Sequence, residues 1–368
     1  MKGFFVYHDD SPAIRTRKGT QALPRDPELP EHTPIRYDKE TNTIKQVGSQ
    51  PQRPIPDFDD ANPKTKNKHR FAYLRTEEQR RIFTAQDTIV EAAHDYYDDA
   101  EHVFTPSILG TASESGSDVF PVYYYGDHAY LRQDPQLHRQ LCIVSGASKL
   151  YEIGPAWRAE KSHTSRHLSE HRVIAVEHGY IEGMHDVIDD AVHLLQAITN
   201  SLTARDLIHD QQIPDDPPKY TFEEAKDICG RYDVAVEDDL SSQAEQALYE
   251  HTADETDVVI VTHFPDETKP FYVMRDGEAS ESFDIIYKGT EISSGGQREH
   301  RHDQLMQTIR GQDMDPDSIE WFTDAFTYGA PTHGGFAIGI ERLTALLTDT
   351  DTVKDTTYFP RDPDKLVP

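Results

Sequence analysis

The 368-residue chain is short of cysteine, of lysine and of long apolar runs. Its two cysteines, Cys142 and Cys229, stand far apart and outside any C-x-x-C. That excludes a disulfide framework and a thiolate zinc site. No stretch approaches the roughly 18 consecutive apolar residues of a membrane span, and MKGFFVYHDD lacks the apolar core of a signal peptide. The expectation is a soluble, cytoplasmic protein with no membrane partner. Only 15 lysines accompany 22 arginines, and 66 acidic side chains outnumber the 37 basic ones, for a formal charge of −29. Such a surface repels itself in dilute buffer, but in molar salt the Debye length falls to ~3 Å and the repulsion is screened. The acids are spread along the chain rather than clustered. They therefore predict a salt-adapted, halophilic surface rather than a patch for a basic partner.

Aromatic residues are plentiful, 15 Phe and 18 Tyr, enough for a sizeable core. Residues 1–70 differ from the rest: they hold nine of the 23 prolines and 13 basic against 10 acidic groups. A hairpin is predicted at IRYDKETNTIKQV, and GSQPQRPIPDFDDANPKTKNKHR reads as extended linker. The segment is otherwise strand-poor. It reads as a proline-rich, mildly basic arm lying over the main domain, or as a nucleic-acid contact through Lys64, Lys66, Lys68 and Arg70.

Residues 71–368 read as one α+β unit. Ile82, Phe83, Ile89, Val90 and Ala93 share one face of a helix over 78–96, and Val187, Ile188, Ala191, Leu195, Ile198 and Leu202 form a second apolar stripe. Strands are predicted at FPVYYY, VVIVTHF, KPFYVM, SFDIIYKG and HGGFAIGI. Mostly adjacent strands interrupted by helices imply an antiparallel sheet flanked by helices.

Three segments carry chemistry. In WRAEKSHTSRHLSE, Arg158 and Glu160 fall on one side of a strand, and the following loop offers Arg166 and His167 to a polyphosphate. In HGGFAIGIERLTALL a strand turns into a helix near Glu341, with Arg342 in the first helical turn and glycines 334, 335 and 339 permitting close approach. In YKGTEISSGGQREHRHD, Glu291 and Ser294 can offer oxygens to Mg²⁺, and Arg298 follows a Gly-Gly bend.

In this order, after VFTPSIL with its Pro106, the segments resemble the three motifs of the class II aminoacyl-tRNA synthetases. Within that class, DPQLHRQL, SGASKLYEIGPAWRAE, TSRHLSE, GTEISSGGQREHRHD, HGGFAIGIERL and a terminal FPRD are similar to the archaeal aspartyl-tRNA synthetase catalytic domain, over about residues 71–368. The resemblance implies the class II synthetase fold, a homodimer, and ATP and Mg²⁺ as cofactors. It casts Arg158 and Arg342 as the catalytic cations, Arg158 on the α-phosphate and substrate carboxylate, Arg342 on adenine or the γ-phosphate. Glu160 is implied to accept from the adenine amine, with Arg166 and His167 on the outer phosphates. Leu168, Gly339, Ile340 and Glu341 complete the implied nucleotide contacts. Glu291 and Ser294 match the Mg²⁺ ligands. Glu114, Gln136, Arg139, Ser294 and Arg298 are implied to surround the amino acid, Arg298 fixing its side-chain carboxylate.

Three departures accompany the match. Arg139 stands where the family has a lysine. Ala175 stands where it has an aspartate that holds the substrate ammonium, leaving Glu114 and Glu177 to supply negative charge. The family's N-terminal anticodon-binding barrel is expected to be absent. The resulting expectation is an ATP- and Mg²⁺-dependent ligase that adenylates aspartate or a close acidic analogue and charges tRNA through its acceptor stem. Two alternatives stay open: an asparagine synthetase passing aspartyl adenylate to ammonia, and a non-catalytic binding or regulatory module. The intact Arg158, Glu160, Glu291, Ser294, Arg298 and Arg342 weigh against the last.

Overall fold

Apolar residues in short alternating runs fold the start of the chain into a sheet of its own. In a computed structural model, which describes every residue except 17, 60, 111–117, 160, 162, 163, 210, 212, 313 and 368, five strands come first. They are β1 (Lys2–His8), β2 (Ser11–Thr16), β3 (Gly19–Ala22), β4 (Pro34–Asp38) and β5 (Thr43–Gln46), antiparallel throughout in the order β3-β2-β1-β4-β5. Phe5, Ile14, Leu23, Ile35 and Tyr37 pack beneath them. The expected hairpin is β4–β5, its loop held by Asp38 Oδ1 accepting from the Glu40 amide at 3.0 Å.

The reading of residues 1–70 as a strand-poor arm is thereby corrected. Each strand is only four to seven residues long, and prolines 24, 27 and 30 fill the crossing from β3 to β4, so longer windows lose the alternation. The linker reading is corrected in its last part as well. Pro63 starts α1 (Pro63–Lys68), capped by Asn62 Oδ1 accepting from the Thr65 amide at 2.9 Å, and α2 (Arg70–Tyr73) comes next. Arg70 is buried, donating to Asp355 at 2.9 Å and to the Tyr358 carbonyl at 3.0 Å, so it is no surface contact for nucleic acid. The Arg75 guanidinium lies 4.2 Å from the Phe4 ring centroid, and Thr20 donates to Glu77 at 3.1 Å, seating the sheet on the helix that begins at Glu77.

That helix is α3 (Glu77–Tyr96), capped by Thr76; β6 (Glu101–His102) and a small sheet of β7 (Ile108–Leu109), β8 (Pro121–Tyr124) and β9 (Asp127–Leu131) succeed it. Next come α4 (Gln136–Val144), β10 (Lys149–Trp157), β11 (Glu170–Gly179) and α5 (Met184–Thr203). After them stand β12 (Lys219–Thr221), α6 (Phe222–Arg231), α7 (Ser242–Thr252), β13 (Val258–Thr262), the ribbon β14 (Arg275–Asp276) and β15 (Ala279–Ser280), β16 (Ser282–Tyr287) and β17 (Thr290–Gln297). The chain closes with α8 (His302–Gly311), α9 (Glu320–Phe326), β18 (His333–Gly339) and α10 (Ile340–Leu347).

The large sheet runs β12-β13-β16-β17-β18-β11-β10-β6. Its six central strands are antiparallel, and the edge strands β12 and β6 are parallel to their neighbours. Because strand side chains alternate, the sheet has two faces of different chemistry. Ile174, Val176, Phe283, Ile285, Phe336 and Ile338 face α3 and α5 in the main core, which includes the whole expected α5 stripe. Ala175 pairs with Ala337, and Ala337 with Ser294, which pairs with Asp284; this row lies on the opposite face. The expected strand at KPFYVM does not form. Pro270 has no amide to give a ladder, and only an isolated bridge from Val273 to Arg298 remains. No helix among the described residues is long and apolar enough to cross a membrane.

Candidate active site

The face of the sheet away from α3 and α5 floors a cavity of about 310 Å³ through Val173, Ser294 and Ala337. Eleven of the residues singled out from the sequence line it: Gln136, Arg158, Arg166, His167, Leu168, Glu291, Ser294, Arg298, Gly339, Glu341 and Arg342. Glu114 and Glu160 lie outside the described residues. Ile340 is buried in the main core, so its side chain is not a nucleotide contact. Arg139 is buried behind the wall rather than in it.

At one end, Arg158 directly follows β10, and its amide donates to the Ser169 carbonyl at 3.0 Å. Ser169 in turn donates to the Arg361 carbonyl at 2.9 Å, and the Val353 amide to the Ser165 carbonyl at 2.9 Å. Leu168 packs with Ala345 and Val353. The terminal segment thus braces the loop that carries Arg166 and His167. Across the cavity, Arg342 donates to the Glu291 carbonyl at 2.6 Å and lies 3.8 Å from its carboxylate. Glu341 accepts from the Arg172 amide at 2.8 Å and from its guanidinium at 3.4 Å, tying α10 to β11. Its carboxyl is a structural tie more than a ligand group, and burial raises its pKa.

The other end is a chain of buried hydrogen bonds. Arg139 meets Asp134 at 2.5 Å and donates to Gln136 Oε1 at 2.9 Å. Gln136 Nε2 donates to Glu177 Oε2 at 2.7 Å, and Arg298 Nε donates to Glu177 Oε1 at 3.0 Å. Burial opposes the Arg139 charge, yet the Asp134, Glu177 and Glu152 carboxylates raise its pKa above the ordinary value. Its Nε and Nη1 are buried without a hydrogen-bond partner among the described residues. The glycines have a definite use here. A Cβ at Gly335 would sit 2.2 Å from Glu177 Oε2, so only glycine leaves room for that carboxylate beneath the cavity. Glu177 therefore does not supply free negative charge, as the sequence suggested; both its oxygens are engaged.

Residues 62–363 match the family model described as tRNA synthetases class II (D, K and N). The chain belongs to that family. It is 33% identical over 321 residues to the aspartate–tRNA(Asp/Asn) ligase of Methanopyrus kandleri, covering 84% of this chain and 74% of that protein. To the aspartate–tRNA(Asp) ligase of Pyrococcus abyssi it is 34% identical over 320 residues, covering 83% and 73%. The asparaginyl-tRNA synthetase of Pyrococcus horikoshii, solved with asparaginyl-adenylate, superposes with a TM-score of 0.87 at 25% identity, over 100% of this chain and 95% of that one. The chain is thus a class II aminoacyl-tRNA synthetase of the aspartyl/asparaginyl group, an AMP-forming ligase, with the α+β fold expected of it.

Synthetases of this class use ATP and Mg²⁺ in general, and one corner of the cavity fits the metal. Asp284, on β16, lies cross-strand from Ser294. Its Oδ1 is buried without a hydrogen-bond partner among the described residues, while Lys269 stands 3.6 Å from Oδ2. Burial and the nearby Glu291 charge push its carboxyl up to about 6, against the pull of Lys269. Cross-strand from Ser294 and close enough to Glu291 to feel its charge, this carboxylate would add a third hard oxygen donor to the two that line the cavity. Asp284 lies outside the motifs that the sequence offers. The available signal was a lone carboxylate in an otherwise apolar strand, SFDIIY. Glu245 of α7, pushed up to about 7 by burial and by Glu291, accepts from the Glu291 amide at 3.2 Å and lies 3.6 Å from Arg166.

His171 was also overlooked. It lines the cavity, and burial together with the Arg158 and Arg342 charges pushes it down to about 4. It is an uncharged imidazole at neutral pH. Because the folded state resists protonating it, stability is full above pH 6.5 and falls as the pH drops towards 4. The shift corresponds to roughly 3 kcal/mol. His171→Asn should remove about that much of the loss between pH 6.5 and 4, read from urea unfolding at each pH. Parallel pH profiles for the two proteins would show that His171 is not held neutral.

Proposed function

We propose that the protein activates aspartate with ATP and Mg²⁺ and transfers the aspartyl group to the acceptor end of tRNA. The supporting observation is that one cavity joins Arg158, the loop residues Arg166 and His167, and Arg342 to a Gln136–Arg298 end backed by Arg139. Attack of a carboxylate on an α-phosphate brings two anions together. Positioning and fixed positive charge lower that barrier, and no protein nucleophile is needed. Arg158 faces both anions, Arg166 and His167 receive the outer phosphates, and Arg342 holds the nucleotide against β17. Asp284, Glu291 and Ser294 would hold Mg²⁺, which neutralises phosphate charge when bound. In the second step a ribose hydroxyl at the tRNA end attacks the adenylate carbonyl and AMP leaves.

Aspartate is favoured over asparagine because the amino-acid end presents the Arg298 guanidinium. A carboxylate–guanidinium bond is worth about 1.5–3 kcal/mol, or roughly 10- to 150-fold in specificity. ATP–pyrophosphate exchange in molar KCl should favour aspartate over asparagine by that factor. Equal activation of the two would refute the reading. Charging of tRNA against amidation of aspartate by ammonia then separates ligase from asparagine synthetase. Residues 71–368 are proposed as the catalytic unit, with the N-terminal sheet as an appended module. Phe104, 81% exposed in the segment before Pro106, is proposed to lie in a two-fold interface. Light scattering in high salt should give twice the chain mass; a monomer across a wide concentration range would exclude the interface.

A further inference from the structure

An amino acid brings an ammonium as well as carboxylates, and a cavity wall must meet that charge with an anion or pay for its desolvation. The sheet floor cannot, since Val173 and Ala337 line it with apolar side chains, Ser294 offers only an uncharged hydroxyl, and Ala175 beside Ala337 is a methyl group. The nearby carboxylates are mostly committed. Glu177 is fully buried, with one oxygen on Arg298 and the other on Gln136. Glu152 is held by Arg132 at 2.7 Å and by Thr105, and Glu341 by Arg172. Glu291 belongs to the phosphate end, against Arg342.

Asp134 is different. It stands two residues before α4's first side chain, Gln136, on the cavity wall, and its side chain is 32% exposed. Among the described residues its side-chain ion pair runs through Oδ1 alone, to Arg139 at 2.5 Å. Arg139 fixes the carboxylate through Oδ1, and Asp134 itself lines the cavity. Its charge also reaches His171, which is neutral and so does not compete as a cation.

We propose that Asp134 receives the α-ammonium group of the amino-acid substrate, with Arg139 as the residue that positions it. This rests on the proposed activation of aspartate. In that arrangement one carboxylate is shared between a buried guanidinium and the incoming ammonium, and the apolar floor at Ala175 needs no charge of its own.

Succinate, which is aspartate without its amine, provides the control. The experiment uses the full chain in molar KCl and measures pyrophosphate exchange with aspartate and inhibition by succinate. Asp134→Asn should raise the KM for aspartate roughly 10- to 150-fold, the range of one lost charge-assisted bond. The inhibition constant of succinate should stay within about twofold, which also shows that the pocket is folded. Asp134→Glu, which keeps the charge, should recover part of the aspartate affinity. An unchanged aspartate KM in Asp134→Asn would overturn the assignment. So would a parallel weakening of aspartate and succinate, which would make Asp134 only a support for Arg139. Wild-type protein that exchanges with no amino acid would refute the functional reading before any variant is compared.

Discussion

Arg158→Ala should lower aspartate-dependent pyrophosphate exchange by about 10²–10³-fold, the usual cost of removing one preorganised stabilising group from a transition state. The reason lies in where charge develops. In the adenylating step the attacking carboxylate and the α-phosphate approach each other, and a guanidinium fixed at their meeting point offsets the repulsion without reorganising. The structure fixes the backbone that carries it. Arg158 follows the end of β10 and is tied through its amide to Ser169, itself tied to Arg361. These are backbone bonds and survive the substitution, so the loss should appear in kcat/KM rather than in folding. Arg158→Lys should recover only part, because an ammonium cannot engage two oxygens in a plane. Near-wild-type exchange in Arg158→Ala would remove Arg158 from the reaction.

How much of this was legible in the sequence depended on how local the signal was. The turn from β18 into α10 was readable because Phe336, Ile338, Leu343 and Leu347 change period within a few residues. The α5 stripe was readable for the same reason. The N-terminal sheet was not, because its core is assembled from one or two residues in each of several very short strands. KPFYVM misled because its composition is strand-like while Pro270 withholds an amide. At the site, the motif arginines were legible because they sit at fixed short spacings. Asp134, His171 and Asp284 were not, since each acquires meaning only from neighbours in distant segments. Asp284 is read through Ser294 and Lys269, and Asp134 through Arg139 and the cavity wall. The sequence casts Glu177 as a source of negative charge, but in the fold Gln136 and Arg298 occupy its oxygens and Gly335 makes room for them.

Arg298→Leu should have the largest effect on the protein as a whole, because it acts on stability and substrate at once. Arg298 Nε lies 3.0 Å from Glu177 Oε1 and Nη2 3.5 Å from Oε2, and Glu177 has no exposed surface. Removing one partner of a buried ion pair strands the other, at a cost of about 3–5 kcal/mol. Gln136 donates one hydrogen bond to Glu177, which does not replace the lost charge. Urea unfolding in high salt should show that loss directly. The same side chain lines the cavity, so activation of aspartate should fall as well. The two effects separate in a second variant. Arg298→Leu combined with Glu177→Gln removes the stranded charge and should restore more than half of the lost stability. Aspartate activation should stay low in both, because the donor proposed to face the substrate is still missing. If the double variant regains activity along with stability, Arg298 serves the fold and not the substrate. If the single variant unfolds at the wild-type urea concentration, the Glu177–Arg298 pair is not the desolvated contact that the geometry describes.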